Sequence, residues 1–130
     1  MQADCIFCSL AETEILAENE LALAFLDKFP SNEGHTLIIP KRHVASLFEA
    51  TAEEMACIGK LMHVVKQKLD ERLTPDGYNV GVNVGEAAGQ TVMHMHVHLI
   101  PRYWGDVPDP RGGIRRFKKS LVPWVVEEGS

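Results

Sequence analysis

The sequence predicts an α+β domain: about five strands in a mainly antiparallel sheet, one long helix and a short N-terminal helix. Two observations predict it. The strand-like segments come in consecutive groups, without a helix after each one, which disfavours a parallel sheet. One stretch alone carries a long helical period. The 130 residues suit one domain with one core, 1–130, with an N-terminal Cys-x-x-Cys segment at 1–10 and a C-terminal extension over about 103–130.

The elements follow in order. Residues 15–27, ILAENELALAFLD, read as two short strands around the turn Glu18-Asn19-Glu20. KFPSNEG is a loop rich in Pro, Ser, Asn and Gly. HTLIIP, 35–40, is a buried strand stopped by Pro40. Thr51-Ala52-Glu53-Glu54 is a capping box. Met55, Ile58, Met62, Val65 and Leu69 then step by three and four, marking the buried stripe of a helix. Pro75-Asp76-Gly77 ends that connection. YNVGVNV, 78–84, alternates as a strand, GEAAGQ is a glycine-bearing loop, and 92–100 is the last strand, closed by Pro101.

Composition bounds the function. Apolar residues make up 45% and charged residues 24%, as in a globular domain. A net charge of −5 argues against a sequence-independent nucleic-acid binder. No run of about 18 apolar residues spans a membrane. MQADCIFCSL lacks the pattern of a secretory signal. Cys5, Cys8 and Cys57 make a poor disulfide framework, so a reducing cytoplasm is the expected compartment.

The chemistry concentrates in HMHVHLIPR, 94–102, which holds three of the six histidines. On a strand, His94, His96 and His98 share one face, with neighbouring imidazoles starting about 7 Å apart. Met95, Val97 and Leu99 fill the other. Buried, each imidazole would need a partner. A merely exposed face would carry Thr, Lys or Glu more cheaply. Two chemistries remain open. His-x-His can hold zinc, although the helical signature HExxH is absent. Alternatively one imidazole attacks phosphorus while its neighbours hold and protonate the rest. Spacing alone does not decide. Just upstream, Asn83, Gly85, Gly89, Gln90 and Thr91 form a small-residue loop whose backbone N–H groups and polar side chains suit an anion. Cys5-Ile6-Phe7-Cys8 is half a zinc site or a redox pair, and no thioredoxin-type context surrounds it.

AGQTVMHMHVHLIPR, GHTLIIPKRH and CIFC together resemble the histidine triad (HIT) superfamily of nucleotide hydrolases and transferases, over about Cys5 to Asp106. The GQTV-Met-His-x-His-Val-His segment with Pro-Arg and Gly-Asp is most similar to the fragile histidine triad and bacterial HIT hydrolase branch. The Trp-Pro-Pro-Gly tail of the purine nucleoside phosphoramidases is missing. The resemblance implies a hydrolase cleaving dinucleoside polyphosphates at the α-phosphate, with phosphoramidase activity or nucleotide-binding regulation as alternatives. It implies His96 as nucleophile, His98 and His94 as supporting triad members, and His35 as a partner from a neighbouring strand. Gln90 and Thr91 would hold phosphate oxygens beside Asn83 and Gly89. Asp27 would bind ribose hydroxyls, and Ile6, Phe7, Phe25 and Leu26 would form the slot for a base, adenine above all. Cys5, Cys8, His43 and His94 would bind structural zinc. No organic cofactor, nucleic acid or membrane is implied; a homodimer is. Arg111, Arg115 and Arg116 could reach distal phosphates or a second subunit, and His63 on the helix is assigned no role.

Overall fold

The computed structural model describes residues 4–116. The strands are β1 (Ile15–Glu18), β2 (Ala22–Leu26), β3 (Thr36–Pro40), β4 (Gly77–Val82) and β5 (Val97–Arg102), with one helix, α1 (Ala52–Leu73), between β3 and β4. They form a five-stranded sheet in the order β1-β2-β3-β5-β4, antiparallel throughout. The expected architecture is therefore present. The short N-terminal helix reduces to one 3-10 turn, Glu12–Glu14. Among the described residues, no helix is long and apolar enough to cross a membrane.

Local chemistry explains the elements. At the β1–β2 turn, Asn19 Oδ1 accepts from the N–H groups of Leu21 and Ala22 at 3.3 and 3.0 Å. Its Nδ2 donates to Cys57 O at 2.8 Å, tying the hairpin to α1. The capping box is present: Glu54 N–H donates to Thr51 Oγ1 at 3.0 Å, and Thr51 N–H to Glu54 Oε1 at 2.8 Å.

The buried stripe of α1 differs from the expected one. It runs Glu54, Ile58, Leu61, Val65 and Leu69, while Met55 is 38% exposed and Met62 is only partly buried. Glu54 takes the inward position because Arg42 meets its carboxylate twice, at 2.8 and 3.0 Å, so the buried charge is paired. The helix ends at Thr74, which adopts the left-handed conformation (φ 46) directly before Pro75.

The last strand also differs. Its ladder begins at Val97, not at residue 92, because the preceding backbone bonds elsewhere. Met95 N–H donates to Val44 O at 2.7 Å, and His94 O serves the ring of His96. Pro101 does not close β5 but pairs with Tyr78 inside it. The missing N–H is tolerated because β3 stops pairing at Leu99, leaving that side of Pro101 free of a ladder.

The sheet buries both faces. Ala22, Ala24, Ile38, Val97 and Leu99 face α1, whereas Leu23, Phe25, Leu37 and Ile39 pack with Phe7 on the other side. That two-sided burial is why HTLIIP reads as a continuous apolar run. His96 and His98 alternate with Val97, so they share the face covered by the N-terminal segment.

Candidate functional site

β5 carries His98, and the residues just ahead of β5 and β3 carry His94, His96 and His35; backbone groups orient these last three. His96 Nδ1 lies 2.9 Å from His94 O. A carbonyl only accepts, so Nδ1 carries the proton and Nε2 keeps its lone pair. The ring stands edge-on to Phe7, centroids 5.1 Å apart, and 5.0 Å from the His98 ring. His94 is set the other way. Its Nε2–H donates to Pro40 O at 2.8 Å, leaving Nδ1 as the free base.

His35 and His98 form a relay. Ser31 N–H donates to His35 Nδ1 at 3.0 Å. Neutral His35 must then carry its proton on Nε2, which donates to His98 Nδ1 at 2.9 Å. Neutral His98 in turn carries a proton on Nε2, a buried atom with no hydrogen-bond partner among the described residues. Burial is the chief cause that pushes His98 down to about 4, against the pull of Asp27. Burial also lowers His35, against the pull of Asp27. Both rings are therefore neutral near pH 7, and the relay ends in a donor waiting for an oxygen. Gly34 permits the approach of His35. It sits at φ 90, and a side chain there would come within 2.7 Å of Leu73 Cδ1.

A cavity of about 330 Å³ opens beside these rings. Phe7, Phe25, Leu37 and Val92 give it apolar walls, Asp27 a carboxylate, and Thr91, His96 and His98 its polar side. Phe7 meets Phe25 edge-on at 5.1 Å. Ile6 lines it while staying 64% exposed. Asp27 Oδ1 accepts from Phe29 N–H at 3.0 Å, and Oδ2 lies 3.5 Å from His35 Nε2.

Some expected residues lie elsewhere. Leu26 is 53% exposed and off the cavity, because alternation along β2 turns it to the face opposite Phe25. Leu37, Val92 and Leu10 complete the slot instead. Gln90 is only 4% exposed, and its amide is committed to backbone groups. Oε1 accepts from Gly85 N–H at 2.9 Å, while Nε2 donates to Ala45 O and Val92 O at 2.7 and 3.0 Å. Gln90 thus braces the glycine loop from behind. Gly89, at φ 95, and Asn83 adjoin each other in that loop, off the cavity wall. Sequence alone does not single out Leu10, Lys28, Phe29, Leu37 or Val92, because apolar residues in or beside strands read as core and a lone lysine as a solvated charge. His63 is exposed, as expected.

On the other side of His94 lies a second cluster. The ligand atoms of Cys5, Cys8, His43 and His94 all fall within 4.8 Å of one another. His94 Nδ1 is 3.6 Å from Cys5 Sγ and 3.4 Å from Cys8 Sγ, and His43 Nδ1 is 3.4 Å from Cys8 Sγ. Tetrahedral zinc with bonds of about 2.0–2.3 Å spaces its ligands about 3.5 Å apart, so this set fits a closed Cys₂His₂ site. The His94 tautomer fits too, since its anchored Nε2–H leaves Nδ1 to bind. All three cysteines are free thiols. Asp27, His35 and His98 also gather. There the two imidazole nitrogens already share a hydrogen bond, so that group is a relay and not a ligand set.

Comparisons with known proteins agree with this geometry. The HIT domain model matches residues 10–105. An adenosine 5'-monophosphoramidase of Schizosaccharomyces pombe is 42% identical over 102 residues, covering 75% of this chain and 74% of that protein. The crystal structure of a HIT family protein from Bacillus anthracis superposes with a TM-score of 0.74 at 38% identity, covering 82% of this chain and 78% of the other. A Zn-bound histidine triad family protein from Mycobacterium smegmatis superposes with a TM-score of 0.71 at 35% identity, covering 82% and 84%. The matched span runs from ahead of β1 to just past β5 and includes the whole histidine row; the chain belongs to the HIT domain family.

Proposed function

We propose that this chain is a nucleotide hydrolase or nucleotidyl transferase that works through a covalent nucleotidyl-histidine at His96. One observation carries the reading: His94 O holds the His96 Nδ1 proton, so Nε2 keeps a lone pair beside the cavity. The base occupies the apolar cavity, and Asp27 takes the ribose hydroxyls. Nε2 attacks the α-phosphorus, forming an N–P bond as the bond to the leaving group breaks. Positive charge on the substituted ring is eased by the carbonyl at Nδ1. His98 Nε2–H donates to a phosphate oxygen, and Thr91 assists the departing group. Water then attacks phosphorus, the N–P bond breaks, and the mononucleotide leaves with His96 restored.

The substrate we favour is a dinucleoside polyphosphate, on the likeness of the GQTV-to-Pro-Arg segment to the fragile histidine triad branch. The Schizosaccharomyces pombe relative supports a second reading, adenosine 5'-phosphoramidate as substrate. Zinc held by Cys5, Cys8, His43 and His94 would be structural, binding the N-terminal segment to the turn before β5. A cytoplasmic homodimer belongs to the same proposal. The test is mass spectrometry after rapid acid-free quenching of the chain with diadenosine triphosphate. An adenylyl group on His96 is expected. An adduct on any other residue, or turnover undiminished in His96→Ala, would overturn the reading.

A further inference from the structure

The outer strand β4 and the C-terminal segment together suggest a site that the base cavity does not include. Gly81 pairs with His98, and Asn79 with Ile100. Directly opposed residues of an antiparallel pair point to the same face. Gly81 and Asn79 therefore lie on the histidine face. A side chain built on Gly81 would meet Ile114 Cγ2 at 4.0 Å, and one built on Gly113 would come 3.2 Å from Asn79 Nδ2. The 3-10 turn Gly113–Arg115 is thus seated on the histidine face of β4. It lies across His98 from the base cavity, which takes the β2–β3 side. Gly81 leaves the floor between His98 and this turn without a side chain.

The arginines there are not equivalent. Arg111 and Arg116 both reach Asp109, at 3.0 and 3.6 Å. Arg115 is exposed and has no side-chain partner among the described residues. We infer that the turn Gly113–Arg115 walls a leaving-group subsite, where Arg115 engages an anionic, phosphate-bearing leaving group. With the base and ribose on the β2–β3 side, a phosphate chain departing from the α-phosphorus has the β4 side open to it. A guanidinium there binds its oxygens as it acquires charge.

This rests on the nucleotidyl-histidine reading, and its test separates the two. Arg115→Gln in the full chain is assayed on two substrates that share the adenylyl group. Diadenosine tetraphosphate releases a polyanion; adenosine 5'-phosphoramidate releases ammonia. Loss of one charge-assisted contact is expected to lower kcat/KM for the first roughly tenfold. The second should change less than about twofold, Arg115→Lys should recover part of the loss, and Arg111→Gln should show none. Equal losses on both substrates, or no loss on either, would overturn the subsite while leaving His96 chemistry intact. So would wild-type turnover of the phosphoramidate alone. Turnover of neither substrate by the wild-type chain would overturn both readings.

Discussion

His94 and His96 stand two residues apart on one face of the chain, yet their rings are held in opposite senses. His94 gives its Nε2–H to Pro40 O and turns Nδ1 toward two thiols. His96 gives its Nδ1–H to His94 O and keeps Nε2 for the cavity. Residue type is constant, so the position of a backbone carbonyl decides which nitrogen stays a free base, and with it the roles proposed for the two rings. His98 differs from both. Its Nδ1 is claimed by a side chain, His35, and so its outer nitrogen is a donor. Three alternate residues, two ahead of β5 and one within it, thus present a free base facing two thiols, a free base facing the cavity and a hydrogen-bond donor.

Separating the two regions by mutation should give effects of different kinds. The largest is expected at the proposed nucleophile. His96→Ala should lower turnover by about 10³-fold or more, measured by steady-state nucleotide release, with zinc content unchanged. A smaller effect is expected at the proposed zinc cluster. His43→Ala should remove bound zinc, read by metal analysis, and lower Tm by roughly 5 °C or more. At a temperature where it remains folded, it should still form the His96 adduct. If loss of His43 abolished the adduct in folded protein, the division between the two regions would fail.

The smallest effect is a pH dependence. His98 is held at about 4 and His35 also below its ordinary value, both chiefly by burial. In the unfolded chain both would titrate near 6.5. As pH falls below that value the unfolded chain takes up protons first, so these two rings cost no stability above about 6.5 and an increasing amount as pH falls toward about 4. Urea midpoints across this window should fall for the wild type and fall less for His98→Gln.

Much of the fold was legible because it depends on local rules. The Thr51–Glu54 capping box and the turn at Asn19 are short-range hydrogen-bond patterns, and both formed as expected. Period-two alternation, expected for His94, His96 and His98 together, holds around Val97 for His96 and His98, while His94 lies ahead of the ladder. The misreadings came where a distant partner overrode the local pattern. Met55 lost its inward position to Glu54 because Arg42, outside the helix, pairs with that carboxylate. Residues 94–96 left the ladder because their backbone serves Val44 and a ring nitrogen. Gln90 reads as a polar loop residue, and nothing nearby reveals that Ala45 O would claim its amide. The Gly113–Arg115 turn is apart from the triad in sequence, and only the Gly81–His98 register sets it on the histidine face.

The central claim concerns which nitrogen carries each proton. Long-range ¹⁵N–¹H correlation spectra of the histidine rings, on the zinc-loaded chain near pH 7, report this directly. Neutral His96 should appear as the Nδ1–H tautomer, with His35 and His98 as Nε2–H tautomers and His94 protonated at Nε2 with Nδ1 on the metal. A His96 ring protonated at Nε2 would contradict the account, because the nitrogen assigned to attack would have no lone pair to use.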